Sequence, residues 1–218
     1  MSDATAAPPF DAIVLAGGAA ERLGGVSKPD VELGGRRLLD GALVAVADAR
    51  EIVVVGDVDV PDGVHRTLEE PPRGGPVAGL AAGIDALDSA GPGAPWTVLL
   101  ACDLADPLPA LGRLLAAWSY AQRTEEVPTD EHDGWCLEDP AGRPQWLFGI
   151  HRTTALRAAL ERLGPPHGAP MRNLFADSTL VTVPASADDV ADIDTWTDHA
   201  TWVQRLAADG GDEVVRGE

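Results

Sequence analysis

Apolar runs alternate with helical patterns along the first half of the chain. Three short segments have the continuous hydrophobic character of strands buried on both faces, namely 11–15, 51–56 and 96–102. Three further segments carry apolar side chains at the three- and four-residue spacing of helices, namely 38–49, 77–87 and 108–118. This alternation predicts an α/β fold in three layers, a mostly parallel sheet with helices on both faces.

The alternation is interrupted over residues 121–144, which are polar and acidic and contain the turn-like sequence EDPAGRP. A linker between two domains is one interpretation. We favour an excursion within one domain, because the remaining chain is too short for an independent core. The later predicted elements are a strand at 145–151, a helix at 153–163, a strand at 180–183 and a helix at 195–208. We therefore expect a disordered segment 1–10, a single domain 11–208 and a flexible tail 209–218.

The charge balance limits the classes of partner, because the chain has 16 basic and 35 acidic residues and a formal net charge of -19. Such a chain repels nucleic acid and anionic membranes, so neither is an expected partner. The two cysteines, Cys102 and Cys136, are too few for a disulfide framework. We find no signal peptide and no apolar run near the roughly 20 residues of a membrane span. These features predict a cytoplasmic protein.

A glycine-rich loop, VLAGGAAERLGGVSK, follows the first predicted strand at residues 14–28. Glycines let backbone N–H groups approach phosphate oxygens, and Arg22 and Lys28 add full positive charges. Lys28 is the only lysine among the 16 basic residues, which favours a need for a compact ammonium group there. Survival of one lysine by chance is the alternative. The spacing fits neither a Walker loop nor a dinucleotide fingerprint, so a P-loop NTPase and a nicotinamide oxidoreductase are disfavoured.

The loop resembles the signature of the molybdenum cofactor guanylyltransferase (MobA-like) family, which reads Leu-Ala-Gly-Gly, three variable residues, Arg-Met-Gly and then Lys. Leu23 replaces the Met, and Ser27 stands where the family often has Asp. The resemblance implies a Rossmann-like nucleotidyltransferase fold. It also implies that the nucleotide is bound at the loop by Leu15, Ala16, Gly17, Gly18 and Lys28.

A second glycine-rich segment, GGPVAGLAAG at 74–83, resembles the family's Gly-Pro-Leu-Ala-Gly segment. The resemblance implies nucleotide contacts from Gly75, Pro76 and Gly79 at a helix N-terminus, where unpaired N–H groups favour an anion. Close packing of small residues against the sheet is the alternative. Upstream, Glu70 is a candidate to accept hydrogen bonds from the N1–H and 2-amino groups of guanine.

Two acidic motifs resemble the metal-binding motifs of the family. In LLACDLADP, Asp103 follows a buried strand and is expected to hold Mg²⁺ and to contact the nucleotide, although a helix cap is the alternative. In DIDTWTDH, Asp192 and Asp194 replace two asparagines and Trp196 replaces a proline. The resemblance implies that Asp194 is a second metal ligand. Capping of the last helix by Asp194 or Thr195 is the alternative.

The segment PQWLFGIHR at 144–152 resembles the family strand that borders the acceptor pocket. Gln145 and Trp146 could contact a fused-ring acceptor such as a pterin, whereas core packing explains Leu147 and Phe148 better. We assign no role to any of the five histidines.

Together the resemblance implies a nucleotidyltransferase that moves GMP from GTP to molybdopterin cofactor and releases pyrophosphate. Arg22, Lys28 and Asp103 are the expected catalytic residues, and Mg²⁺ is the expected metal, with Mn²⁺ as its substitute. The alternatives are an enzyme of the same fold that uses a sugar phosphate or CTP, and a nucleotide-binding protein without catalysis. A monomer or weak homo-oligomer is expected.

Overall fold

The computed structural model describes residues 8–17, 26–124 and 131–213, with side chains described up to residue 208. The strands are β1 (Phe10–Leu15), β2 (Glu32–Leu33), β3 (Arg36–Arg37), β4 (Ile52–Val55), β5 (His65–Thr67), β6 (Trp96–Ala101), β7 (Gly134–Glu138), β8 (Pro144–Arg152) and β9 (Leu180–Pro184). The helices are α1 (Leu38–Ala45), α2 (Pro76–Ala90), α3 (Pro107–Thr124), α4 (Thr153–Leu163), α5 (Met171–Leu174) and α6 (Trp196–Glu213), together with a 3-10 helix at Lys28–Asp30.

Seven of the strands form one sheet, in the order β5-β4-β1-β6-β8-β7-β9. The first four strands of that order run parallel, while β8 runs antiparallel to β6 and β7, and β9 is parallel to β7. The predicted mostly parallel sheet is confirmed. Strands β2 and β3 form a separate antiparallel hairpin.

Helices cover both faces of the sheet, as predicted. Along β1, Ala12 and Val14 face the core that contains α1 and α3, whereas Ile13 and Leu15 face the core that contains α2, α4 and α5. This division follows from the alternation of side chains along a strand. All four are buried, which explains why the strand reads as one continuous apolar run.

Helix α2 approaches β1 very closely, because Gly83 has no side chain. A Cβ atom at Gly83 would lie 2.7 Å from Cγ2 of Ile13. A Cβ atom at Gly79 would similarly lie 3.2 Å from Cδ2 of Leu15. The small residues of this segment therefore serve helix-sheet packing.

The described elements without a predicted counterpart are β5, β7, α5, the β2–β3 hairpin and the 3-10 helix at Lys28–Asp30. Strand β7 lies inside the acidic stretch, where Trp135, Cys136 and Leu137 are buried between two neighbouring strands. Its apolar run is short and has charged residues on both sides, so its pattern is weak in the sequence. Among the described helices, none has both the length and the apolar character that crossing a membrane requires.

Candidate active site

The site begins where β1 and β6 end side by side. Leu15 is paired with Ala101 at the carboxyl ends of these two parallel strands, and the backbone N–H of Cys102 donates to the carbonyl of Leu15 at 3.0 Å. Asp103 is the next residue, so its carboxylate lies beside the start of the glycine loop. Ligands of open α/β sheets bind at this edge.

Lys28 brings its ammonium group to the same place. It begins the short 3-10 helix, in which Pro29 is buried. Its Nζ donates to Oδ2 of Asp103 at 2.7 Å and also to Oδ1 of Asp194. The Lys28 side chain is only 15 % exposed. Lys28, Asp103 and Asp194, which were predicted from three distant motifs, thus lie in one cluster.

Asp194 lies in this cluster because the segment 191–193 pairs with the segment 103–105 by backbone hydrogen bonds. Ile193 donates its N–H to the carbonyl of Asp103 at 2.9 Å, and Leu104 is bridged to Asp192 in antiparallel fashion. Ile193 is fully buried in a small core with Val31, Leu33 and Leu38. Because side chains alternate along extended backbone, burial of Ile193 turns the carboxylates of Asp192 and Asp194 to the opposite side together.

Asp192 therefore completes a group of three carboxylates with Asp103 and Asp194. One oxygen of each carboxylate lies within 4.8 Å of the others. In the sequence Asp192 stands out only as a replacement for asparagine, although its spacing of two residues from Asp194 is the signal that predicts both carboxylates on one side of an extended segment.

The cluster holds more negative than positive charge, and the pKa values reflect this. Burial lowers the pKa of Lys28, but the carboxylates of Asp103 and Asp194 outweigh burial and raise the pKa above its ordinary value. Lys28 therefore carries its charge at neutral pH. Desolvation and repulsion from Asp194 and Asp103 raise the pKa of Asp192.

Thr195, and not Asp194, caps the last helix. The backbone N–H of Thr195 donates to Oδ2 of Asp198 at 2.8 Å, and the N–H of Asp198 donates to Oγ1 of Thr195 at 3.2 Å. This reciprocal pair is a capping box at the start of α6. The Asp194 carboxylate is consequently directed to Lys28 instead of the helix.

The predicted nucleotide contacts lie along the same edge. Leu15, Ala16 and Gly17 follow one another there, and the N–H of Ala16 donates to the carbonyl of Val55 at 2.8 Å. Gly18 and Arg22 lie outside the described residues, so their predicted roles stay predictions.

The second glycine segment begins α2 beside this loop. Gly75 has a φ of +84°, and Pro76 is the first helical residue. Gly79 packs on Leu15. Glu70 is exposed in the preceding loop, where its neighbour Glu69 accepts the N–H of Arg73 at 2.9 Å.

A cleft of about 620 Å³ adjoins the carboxylate cluster. Its lining combines acidic, basic and apolar side chains: Asp103, Asp192, Arg143, Gln145, Trp146, Leu147, Phe148, Met171, Leu104, Val190, Ala101 and Pro144. Both residues predicted to face the acceptor, Gln145 and Trp146, line this cleft. Phe148 also belongs to the buried core, as expected.

Comparison with known proteins gives a decisive match. Residues 12–183 match the MobA-like NTP transferase domain. The chain belongs to this family. A molybdenum cofactor guanylyltransferase of Nitrobacter hamburgensis is 32% identical over 131 residues, which cover 55% of this chain and 58% of that protein. The match thus spans less than two thirds of this curated relative.

Solved structures show the same fold. Molybdopterin-guanine dinucleotide biosynthesis protein A from Archaeoglobus fulgidus superposes with a TM-score of 0.65 at 18% identity, covering 91% of this chain and 99% of that one. The 4-diphosphocytidyl-2C-methyl-D-erythritol synthase from Anaerococcus prevotii gives a TM-score of 0.61 at 15% identity, covering 92% and 96%. The family and the Rossmann-like nucleotidyltransferase fold implied by the glycine loop are confirmed.

MobA-like nucleotidyltransferases typically use a divalent metal, and the residues present fit one. Three carboxylates converge within 4.8 Å, and carboxylate oxygens are the ligands that hard divalent cations prefer. A cationic group, the Lys28 ammonium, is already held between two of them. By contrast, Cys102 is buried, and burial raises the pKa of its thiol far above the ordinary value, which favours a packing role over that of a nucleophile.

Proposed function

We propose that this MobA-like domain is a Mg²⁺-dependent nucleotidyltransferase that moves GMP from GTP to molybdopterin cofactor, with Mn²⁺ able to replace Mg²⁺. The observation that carries the proposal is the meeting of Lys28 with Asp103 and Asp194 at the carboxyl ends of β1 and β6, beside a cleft that is large enough for a second substrate. The curated relative named a molybdenum cofactor guanylyltransferase supports this choice of nucleotide and acceptor.

The reaction joins two anions. An oxygen of the acceptor phosphate forms a bond to the α-phosphorus of GTP, and the bond from that phosphorus to the β-phosphate oxygen breaks, so pyrophosphate leaves. Catalysis therefore consists of neutralising charge and aligning the two phosphates, and no covalent enzyme intermediate is needed.

The carboxylates of Asp103, Asp192 and Asp194 would hold the divalent metal, and when bound it would neutralise charge on the reacting phosphates. Lys28 uses two of its three N–H donors on Asp103 and Asp194 in the described contacts. A third donor is therefore available for a phosphate oxygen. In this arrangement Lys28 orients the carboxylates and supplies positive charge in a chain whose net charge is -19.

The two substrates would approach Asp103 from opposite sides. Helix α2 packs against β1 and β4, and Ala16 and Gly17 follow β1 at the same edge, so we assign the nucleotide to this side. The cleft lies along β6 and β8 and forms the acceptor side. Asp103 follows β6, between the two. Glu70, exposed before α2, is positioned in the loop that would meet the base.

A pyrophosphate-release assay tests the proposal. The protein is mixed with Mg²⁺, each of GTP, CTP, ATP and UTP, and either molybdopterin or a sugar phosphate. We expect release only with GTP and molybdopterin, and its loss in Asp103→Asn. Release with CTP and another acceptor would show an enzyme of the same fold with different substrates. This is the second candidate, because the 4-diphosphocytidyl-2C-methyl-D-erythritol synthase from Anaerococcus prevotii has a similar fold. Binding of GTP without release in any combination would show a non-catalytic protein.

A further inference from the structure

The turn between β7 and β8 is organised around one buried carboxylate, Asp139, whose side chain is 5% exposed. Its Oδ1 accepts the backbone N–H of Ala141 at 2.9 Å and that of Arg143 at 3.0 Å. Its Oδ2 accepts Nε of Arg143 at 2.8 Å and Nε2 of Gln145 at 3.3 Å. Hydrogen bonds from Arg143 lower the pKa of Asp139, so the carboxylate is ionised.

The backbone of the turn reinforces this arrangement. The N–H of Asp139 donates to the carbonyl of Arg143 at 3.0 Å, and the N–H of Gly142 donates to the carbonyl of Asp139 at 2.9 Å. Gly142 has a φ of +76°, which a residue with a side chain rarely adopts. The turn thus presents the side chains of Arg143 and Gln145 in a fixed orientation.

Arg143 remains largely exposed although it is anchored, with 77% of its side chain accessible. It is the one basic side chain among the described residues that line the cleft. Asp103 and Asp192 line the same cleft, together with the apolar side chains of Trp146 and Met171. The cleft therefore offers a ligand acidic groups, apolar surface and a single guanidinium.

We propose that Arg143 binds an anionic group of the acceptor, and that Asp139 is the positioning residue that aims its guanidinium into the cleft. Nε and Nη2 of Arg143 contact Asp139, so the Nη1 donors are presented to the ligand. Planar guanidinium groups match phosphate and carboxylate geometry better than an ammonium does. Gln145 adds a neutral hydrogen-bonding group beside it.

This inference rests on the proposed function, because it assigns Arg143 to the acceptor and not to the nucleotide. The assignment follows from location: Arg143 lies at the turn that leads into β8, whereas α2 packs against β1 and β4, and Ala16 and Gly17 follow β1. An acceptor with an anionic group and a flat or apolar body is the substrate class that this lining fits.

Binding of molybdopterin and of GTP to the wild type and variants tests the inference, with quenching of tryptophan fluorescence as the signal. We expect Arg143→Gln to weaken molybdopterin binding about tenfold or more, because it removes one hydrogen-bonded charge. The affinity for GTP should stay within about twofold of the wild-type value. Arg143→Lys should recover only part of the affinity, because an ammonium lacks the fork of donors. Arg157→Gln is the matched control, since Arg157 pairs with Asp88 between α2 and α4 and lies outside the cleft lining.

Asp139→Asn tests the positioning role. Asparagine keeps an oxygen for the turn N–H groups, but its NH₂ group faces the donors of Arg143 and Gln145 and no longer holds the guanidinium. We therefore expect weaker molybdopterin binding together with a lower unfolding midpoint, and binding is measured well below that midpoint. In the double variant with Arg143→Gln, the Asp139 change should have no further effect on acceptor binding, which a purely structural role would not produce.

Equal molybdopterin affinities of the wild type and Arg143→Gln would overturn the inference. The inference would also be overturned if the wild type bound GTP but not molybdopterin. In that case only the assignment of molybdopterin as the acceptor would be wrong. Absence of both binding reactions would instead overturn the proposed function itself.

Discussion

The ammonium nitrogen of Lys28 lies 2.7 Å from a carboxylate oxygen of Asp103, and 75 positions of sequence separate the two residues. The pair joins the end of the glycine loop to the end of β6. The glycine loop and the segment after β6, whose motifs predicted a function independently, therefore contribute to one cluster. This relationship makes the roles proposed for both residues testable one side chain at a time.

Lys28→Ala should lower turnover by about 100-fold or more with little change in fold, because it removes a charge aimed at the reacting phosphates. Pyrophosphate release under saturating substrates, with circular dichroism as the check on folding, measures this. Lys28→Arg keeps the charge but not the compact ammonium, so it should recover only part of the rate. Near-normal turnover of Lys28→Ala would show that the lysine has no catalytic role.

Lys28→Met should bind Mn²⁺ more tightly than the wild type when no nucleotide is present. The ammonium occupies oxygens of Asp103 and Asp194 and repels a second cation, so its removal should raise the affinity by about tenfold. Electron paramagnetic resonance of free Mn²⁺ provides the measurement. Asp103→Asn should weaken binding, and Lys28→Arg should behave like the wild type. Unchanged or weaker binding in Lys28→Met would contradict a shared position for lysine and metal.

Thr195→Ala should reduce the free energy of unfolding by about 1 kcal/mol, because it removes the cap of α6. Urea denaturation measures the change. Asp194→Asn is the comparison, because it disturbs the pair with Lys28 and leaves the capping box intact. Two results together would reverse the assignment of cap and metal ligand. Asp194→Asn would lose as much stability as Thr195→Ala, and Thr195→Ala would bind metal less well than the wild type.

His151 should make the protein less stable in acid. Its ring is fully buried and stacks on Phe175 with 4.9 Å between centroids, and burial lowers its pKa from 6.5 to about 3. As the pH falls below about 6.5 the unfolded chain takes up a proton that the folded chain does not, so stability falls until the pH nears 3. The slope is up to about 1.4 kcal/mol per pH unit.

Replacing the ring with an uncharged group isolates this effect. The difference in unfolding free energy between wild type and His151→Asn should shrink as the pH is lowered from 7 to 4.5, because only the wild type carries this titration. Parallel stability curves for the two proteins would show that His151 is protonated equally in both states.

Gly83→Ala should destabilise the fold by about 1–3 kcal/mol, since its Cβ would lie 2.7 Å from Ile13 in the closest part of the α2–β1 contact. Gly112→Ala is the matched control, because a Cβ there meets no atom within 4 Å and alanine favours a helix. We expect the control to be neutral or stabilising by thermal unfolding. Similar losses in both variants would argue against close packing as the reason for Gly83.

Local pattern was sufficient for much of this molecule. The apolar runs at β1, β4 and β6 and the helical spacings between them predicted a parallel sheet with helices on both faces, because burial on both faces favours apolar residues at most positions of a strand. The glycine loop, with its single lysine, predicted the family, because loop chemistry is carried by a few residues at fixed spacing. Asp103 was predicted for a similar reason: an acidic residue directly after a buried strand lies at the ligand-binding edge of the sheet.

Tertiary structure decided what depends on residues that are distant in sequence. Of the two roles predicted for Asp194, the helix cap is filled by Thr195 with Asp198, and pairing of the 191–193 segment with 103–105 brings Asp194 to Lys28 instead. Its role as a metal ligand stays a prediction. The third carboxylate, Asp192, joined the cluster because burial of Ile193 sets the side on which its neighbours lie. Arg143 reached the cleft through the anchoring carboxylate of Asp139. Such positions depend on packing between segments, and the order of residues along the chain does not contain that packing.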